Sequence, residues 1–325
     1  MFDDAVILVT GGTGSFGNAF VSSTLKNYKP KKLIVFSRDE MKQWEMAKKF
    51  QDTCVRFFIG DVRDKDRMYR ALAGVDYVVH AAATKIVPTA EYNPCEAVKT
   101  NITGAMNVID ACIDQNVKRV VALSTDKASS PINLYGATKL VSDKLFIAAN
   151  NYVGKNLTRF AVVRYGNVMG SRGSVIPFFF SLRDRDTLPI TDVRMTRFML
   201  TLDEGIDLVK LAFRDMHGGE IYVKKIPSMK VVDIARAVNP SAVFEHVGVR
   251  PGEKIHEQMI SVEDAPFTYE YDSYFKILPQ LTDWEVNSDY MKSGRLVSKD
   301  FSYSSDRNRH WMDISTLQNW ITKNL

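Results

Sequence analysis

The sequence predicts an α/β protein whose parallel sheet is covered by helices on both faces, and three observations carry that expectation. Short apolar runs rich in Val, Ile and Phe alternate with amphipathic stretches as far as about residue 165. A glycine-rich turn, Thr10-Gly11-Gly12-Thr13-Gly14-Ser15-Phe16-Gly17, follows the first of those runs. No internal repeat or low-complexity linker breaks the pattern. Strand-helix alternation of this kind forms a doubly wound sheet, because each helix must carry the chain back before the next parallel strand can start.

The strand candidates are 5–10, 32–36, 55–59, 76–80, 118–124 and 159–164, each short, apolar and largely β-branched or aromatic. Between them, apolar residues at helical spacing predict helices near 16–25, 40–50, 64–72, 96–115 and 134–149. After Tyr165 the pattern loosens, with Gly and Pro breaking up 166–189 and shorter helices expected near 202–213 and 229–238. The expected division is a dinucleotide-binding domain over 1–165 and a smaller substrate lobe over 166–325, interleaved with the first. From Phe267 onward only a final helix around 314–321 can be placed.

The glycine turn sits between a strand and a helix. Gly11, Gly14 and Gly17 permit a tight turn, and the N–H groups of Thr13, Ser15 and Phe16 open a helix whose dipole favours a pyrophosphate. This is the Rossmann-type fingerprint for a dinucleotide. At the second strand's tip, Ser37 and Arg38 favour NADP, since arginine pairs with a 2′-phosphate. Asp39 leaves the choice open, as either a helix N-cap or a ligand to the ribose of NAD. Asp61 and Val62 after the third strand are expected to flank the adenine. Ala81, Ala82 and Ala83 after the fourth offer small side chains beneath a dinucleotide, or close helix-sheet packing.

With 325 residues, 45% hydrophobic and 25% charged, the composition is that of a soluble globular protein. Its 43 basic and 38 acidic residues give a net charge of +5, and the basic residues are scattered apart from Lys29 to Lys32, so no nucleic-acid partner is implied. Cys54, Cys95 and Cys112 lack CxxC spacing and are read as reduced thiols, which with the absence of a leader or membrane span predicts a cytoplasmic protein. The sequons at Asn101 and Asn156 then count as chance matches. His217, His246 and His256 have no metal-ligand spacing, so no metal is expected. Phe178 to Phe180 read as core or interface.

The densest chemistry lies in Ser124-Thr125-Asp126-Lys127 and Tyr135-Gly136-Ala137-Thr138-Lys139. Tyr135 and Lys139 are four apart on a predicted helix and share a face. An ammonium beside a phenol favours the phenolate, so Lys139 is expected to lower the pKa of Tyr135 from about 10. Such a tyrosine can exchange a proton with a sugar hydroxyl while a nicotinamide moves the hydride.

These motifs resemble the extended short-chain dehydrogenase/reductase superfamily, and the likeness covers nearly the whole chain. The blocks Thr10 to Gly17, Gly60-Asp61-Val62-Arg63-Asp64, Ala90 to Pro94, Ser124 to Lys127, Asn133 to Lys139, Arg164 to Val168 and Gly170 to Ser174 narrow it. So do Pro189 to Asp192, Met195 to Phe198, Met216 to Glu220 and Arg250-Pro251-Gly252-Glu253-Lys254. In this order they are similar to the inverting UDP-N-acetylglucosamine 4,6-dehydratases, the family that starts pseudaminic acid synthesis.

The resemblance implies a tightly bound NADP, regenerated each turnover, and a UDP-sugar substrate. The C4 hydroxyl is oxidised so that C5 becomes acidic, water leaves across C5 and C6, and the hydride returns to C6. Tyr135 and Lys139 would serve the oxidation, Asp126 would be the acid at the C6 oxygen, and Lys127 the base at C5. Lysine needs a depressed pKa for that role, expected from burial or from the positive charge of Lys139 and the cofactor. Retaining relatives place Glu after the Asp, so Lys127 also marks C5 inversion.

Lys85 would meet cofactor and sugar, Val168 and Arg172 cofactor or substrate, Asn167 the sugar nucleotide, and Arg250 with Glu253 would clamp UDP. Family members often carry His after Lys85, where this chain has Ile86. The resemblance also implies a homo-oligomer, a dimer or higher. The rival readings are a retaining 4,6-dehydratase, a C4 or C5 epimerase of a UDP-sugar, and a non-catalytic NADP sensor that has kept Tyr135 and Lys139.

Overall fold

The computed structural model describes residues 1–154, 158–171, 173–281 and 293–325. The first half alternates as its sequence predicts: β1 (Val6–Thr10), α1 (Ser15–Asn27), β2 (Lys32–Ser37), α2 (Glu40–Lys49), β3 (Val55–Ile59), α3 (Lys65–Leu72) and β4 (Tyr77–His80). Two short helices, α4 (Val87–Tyr92) and α5 (Pro94–Val98), run through a π-helical turn at Lys99–Thr103 into α6 (Gly104–Asp114). Then come β5 (Arg119–Leu123), α7 (Leu134–Ala149) and β6 (Arg159–Arg164). Asp39, Asp64 and Asn133 end the loops as N-caps, each accepting from a backbone N–H three residues on.

The second half begins with β7 (Asn167–Val168), α8 (Val175–Ser181), β8 (Thr187–Ile190) and β9 (Thr196–Leu200). It continues with α9 (Leu202–Asp215), β10 (Ile221–Lys224), β11 (Ser228–Lys230), α10 (Val231–Val238), β12 (Val243–His246) and β13 (Gln258–Ile260). The remaining described elements are β14 (Thr268–Glu270), β15 (Tyr274–Ile277), β16 (Arg295–Leu296), β17 (Tyr303–Ser304) and α11 (Ile314–Asn324).

One ten-stranded sheet has the order β16-β14-β15-β10-β6-β5-β4-β1-β2-β3. The seven strands from β10 to β3 are parallel, and β15, β14 and β16 add an antiparallel edge. Parallel strands with both faces covered need continuous apolar runs, and β1 is buried at every position. The order reverses between β1 and β4. This is the switch point, where the carboxyl ends of the strands open a crevice for a ligand.

Strands β10, β14, β15 and β16 all come from residues after 165, so the second half of the chain completes the main sheet. A second hydrophobic core lies beside it, built by Met169, Ile176, Phe179, Leu188, Ile190 and residues of α10, and closed by Leu317 and Ile321 of α11. Phe179 belongs to this core, whereas Phe178 is 43% exposed.

Candidate active site

Two cavities lie along the carboxyl end of the sheet. The smaller, about 140 Å³, is lined by Gly11, Ser37, Arg38, Gly60, Asp61, Val62 and Ala82 to Thr84. These come from the ends of β1, β2, β3 and β4, so the topology gathers at one crevice Gly11, Ser37, Arg38, Asp61, Val62 and Ala82 from among the residues expected at a dinucleotide. The glycine turn is held tightly. A Cβ on Gly17 would come within 2.2 Å of the backbone of Gly12, so only glycine lets α1 start this close to the strand. Gly14 is the N-cap of α1. Phe16 packs its ring against the core, stacked on Phe20 at 5.9 Å, and is not among the residues lining the crevice.

At the tip of β2 the acidic and basic side chains take different partners. Asp39 caps α2, accepting from the Lys42 N–H at 2.9 Å, and its carboxylate is also ion-paired with the Lys42 side chain. Arg38 is free of that network, with Nη1 3.8 Å from the Asp61 carboxylate, and its side chain is 67% exposed at the crevice mouth. Asp61 is more tightly held by Arg63, at 2.9 and 2.7 Å. Thr13 and Ser37 share a hydrogen bond of 2.8 Å that ties the glycine turn to the end of β2.

The larger cavity, about 560 Å³, is lined by Lys127, Asn133, Asn167, Phe178, Arg197, Arg250, Glu253, Lys254 and Glu257 among others. Residues 82–84 line the smaller cavity and Val87 and Pro88 the larger, so Lys85 and Ile86 stand, exposed, on the segment that joins them. Val168, half-buried in β7, pairs with Leu200 of β9, beside the cavity-lining Asn167. The Asn167 Oδ1 is buried without a partner among the described residues, as is the Glu253 Oε2. Buried acceptors of this kind are what a polyhydroxylated ligand would satisfy. Arg172 lies outside the described residues.

Tyr135 and Lys139 are both buried on the sheet-facing side of α7, together with Asp143 one turn further. Asp143 accepts from Ser124 at 2.6 Å and pairs with Arg164 at 3.3 Å, which fixes α7 against β5 and β6. Asp126 and Lys127 occupy a 3₁₀ turn after β5, capped by Thr125. A Cβ on Gly136 would lie 2.2 Å from the Lys127 carbonyl oxygen, so glycine is what allows α7 to start directly against this turn. Asn133 then links the start of α7 to the second half of the chain, donating to the Gly252 carbonyl at 2.7 Å.

Two electrostatic expectations are corrected. Burial pushes the pKa of Tyr135 up to about 12, and the leading charge against that rise is Lys127, supported by a hydrogen bond with Thr125. Lys139 is therefore not the main influence expected from its helical spacing. Its own pKa is lowered, by burial, with Asp143 opposing.

Lys127 was expected to be depressed. Burial does act in that direction, but the negative charges of Asp126 and Glu257 outweigh it and raise the pKa. Its Nζ lies 3.2 Å from Asp126 Oδ1 and 2.9 Å from Glu257 Oε1. The carboxyl of Asp126 is raised, first by burial and then by the charge of Glu257. For Glu257 burial also raises the pKa, yet Lys127 and Arg197 overcome it and hold the group ionised. Two carboxyls pushed in opposite directions are what an acid and an anion in one site require.

Sequence reasoning did not single out Glu257, Arg197, Thr125 or Asn101. Glu257 lies three residues beyond the Arg250 to Lys254 block, and Arg197 sits inside the Met195 to Phe198 block, so a search for charges flanking the recognised motifs could have found both. Asn101 stands in a sequon yet is only 1% exposed. Its side chain accepts from the Thr84 N–H at 2.8 Å and donates to the Thr84 carbonyl and to Thr138, both at 3.0 Å. The π-helical turn presents it to the segment between the cavities.

A doubly wound sheet, a glycine-loop crevice at its switch point and a buried tyrosine-lysine helix define the class, the extended short-chain dehydrogenase/reductase scaffold. The chain belongs to the family described as "Polysaccharide biosynthesis protein", whose model matches residues 7–279. It is 55% identical over 318 residues, 96% of this chain and 95% of the relative, to a UDP-N-acetylglucosamine 4,6-dehydratase (inverting) of Campylobacter jejuni. It is also 44% identical to a UDP-glucose 4-epimerase of Rickettsia bellii, over 85% of this chain and 84% of that one.

Among solved structures, Pen from Bacillus thuringiensis superposes with a TM-score of 0.90 at 38% identity, covering 99% of this chain and 98% of that one. The dTDP-glucose 4,6-dehydratase DesIV of Streptomyces venezuelae, solved with NAD and TYD bound, gives 0.70 at 25% identity, over 77% and 86% of the two chains. Among the described residues no helix is long and apolar enough to cross a membrane.

Proposed function

We propose that this chain is an NADP-dependent UDP-N-acetylglucosamine 4,6-dehydratase that inverts C5, yielding UDP-2-acetamido-2,6-dideoxy-β-L-arabino-hex-4-ulose. The observation that carries the reading is Lys127 at the cavity, its Nζ 2.9 and 3.2 Å from two carboxyls, in a chain 55% identical to an inverting dehydratase. The likeness to an epimerase keeps a second reading in view. Epimerisation at C4 needs no acid for a departing hydroxyl, however, and the raised pKa of Asp126 favours such an acid.

The residues of the smaller cavity fit a dinucleotide, and the capping role of Asp39 beside a largely exposed Arg38, held among the described residues only by a 3.8 Å ion pair with Asp61, supports NADP over NAD. Bound there, the cofactor supplies removal of hydride from C4 and its return at C6. Tyr135, a phenol at rest, takes the C4 hydroxyl proton as its own phenolic proton passes to solvent. Asp126 donates a proton to the C6 oxygen so that it leaves as water. Lys127 receives the proton from C5, and once the hydride has returned to C6 a solvent proton delivered to C5 from the opposite face sets the L-arabino configuration. Asn167, Arg250 and Glu253 hold the sugar nucleotide, with arginine matched to diphosphate oxygens. On the family resemblance, the product enters pseudaminic acid synthesis.

The test is incubation with UDP-N-acetylglucosamine in D2O followed by proton NMR. A new C6 methyl signal with L-arabino configuration is expected. Methyl formation with D-xylo configuration would establish retention, and turnover without any methyl signal would sink both dehydratase readings.

A further inference from the structure

For Lys127 to act as a base it must first be neutral, and it begins as an ammonium held between two carboxyls. The structure supplies one acceptor suited to take its proton. Glu257 is only 1% exposed, its Oε1 is 2.9 Å from Lys127 Nζ, and its Oε2 is buried with no partner among the described residues. The residue is also held from its backbone: its N–H donates to Ser305 Oγ at 2.9 Å, and the Ser305 N–H donates to its carbonyl at 2.8 Å. Ser305 in turn bonds Thr196 beside Arg197, so the C-terminal segment fixes Glu257 at the cavity wall.

We propose that Glu257 is the proton partner of Lys127, a positioning residue that takes a proton from Nζ on Oε1 and so frees the amine to attack the C5 hydrogen. This rests on the assignment of Lys127 as the C5 base. In the step an N–H bond of the ammonium breaks and an O–H bond on Glu257 forms, with no change in oxidation state. An ion pair becomes a neutral amine and a neutral acid, a change favoured when a bound sugar excludes water, because low dielectric penalises separated charge. The amine then takes the C5 proton and passes it over 3.2 Å to Asp126, replacing the proton lost to the departing hydroxyl. Glu257 finally returns its proton to Lys127, which restores the resting pair.

The charged groups around Glu257 set the balance. Lys127 and Asp126 face it from the 3₁₀ turn, Arg197 from β9 at 3.7 Å, and Lys254 from the loop before β13, with Glu253 of that loop engaging Arg197 at 3.4 Å. Arg197 and Lys254 favour the carboxylate, so Glu257 returns to its ionised form at rest and does not trap the proton.

Glu257→Gln keeps the size and one hydrogen-bond acceptor but cannot take the proton. At pH 7, oxidation at C4 in a single turnover, read as 340 nm absorbance of reduced cofactor, is expected to stay within about threefold of the parent, while C5 exchange and methyl formation fall about 100-fold. The deficit should shrink towards pH 9.5, where water can deprotonate Lys127, and Glu257→Asp should recover at least about tenfold at pH 7. A Gln variant as fast as the parent or faster, or a deficit that is constant with pH, overturns the proposal. Should the Gln variant also lose C4 oxidation, the Asp variant decides: the parent's pH dependence supports a proton partner, and a flat loss overturns it. Lys127→Ala separates the two readings, because unchanged methyl formation there refutes the base assignment itself, whereas its loss beside a normal Gln variant refutes only the role of Glu257.

Discussion

At the scale of single residues, position in a charge network matters more than chemical type. Lys127 and Lys139 are both lysines in one site, yet the first is raised by two carboxyls and the second lowered by burial. The same holds at the end of β2, where Asp39 and Arg38 are adjacent but Asp39 is occupied by the first turn of α2, while Arg38 makes, among the described residues, only a 3.8 Å ion pair with Asp61 and stays largely exposed. Removing a charge-assisted contact with a 2′-phosphate is worth about 1.5–3 kcal/mol. Arg38→Ala is therefore expected to weaken NADP binding about 10- to 100-fold while leaving NAD binding nearly unchanged. Equilibrium titration with each cofactor checks this, and an equal effect on both would remove the argument for NADP.

At the scale of elements, the site depends on how closely α7 approaches the turn after β5. Gly136 is the point of contact, and Asn133 both caps the helix and reaches Gly252. Gly136→Ala would force a methyl against the Lys127 carbonyl, so either the helix or the turn must retreat. Overpacking of this sort costs about 1–3 kcal/mol. Because the displaced parts carry Tyr135 and Lys127, turnover is expected to fall more steeply than stability does. Urea unfolding beside steady-state kinetics tests that, and an activity loss no larger than the fraction unfolded would contradict it. The alternating elements themselves were readable from the sequence, since six apolar runs match β1 to β6 and their intervening amphipathic stretches match α1, α2, α3, α6 and α7, whereas the short α4 has no counterpart among the expected helices. The 96–115 stretch is where periodicity misled, because one predicted helix is α5, a π-helical turn and α6. A single inserted turn is invisible to a 3.6-residue pattern.

At the scale of the whole molecule, burial of titratable groups beneath the sheet's carboxyl edge makes stability depend on pH. His80, at the end of β4, bonds Thr10 at 2.9 Å, and burial together with the charge of Lys139 lowers its pKa to about 3. The unfolded chain binds this proton near pH 6.5 and the folded one does not. Stability from this group is thus complete above about pH 6.5 and is lost progressively as pH falls towards 3, by about 2 kcal/mol at pH 5. Urea titrations at pH 7 and pH 5 should show this loss, and His80→Gln should flatten the difference. An equal decline in the variant would assign the effect to other groups.

The sequence by itself determined the doubly wound sheet, the glycine turn at its first crossing and the shared helix face of Tyr135 and Lys139, because these follow from local periodicity and backbone sterics. Only the tertiary structure decided the partners of Lys127. Glu257 stands 130 residues away in the chain, Arg197 of β9 reaches it with its guanidinium, and Ser305, itself bonded to Thr196 of β9, holds its backbone from the C-terminal segment. Coulombic and desolvation effects depend on distances in space and on exclusion of water, and neither is encoded by spacing along the chain.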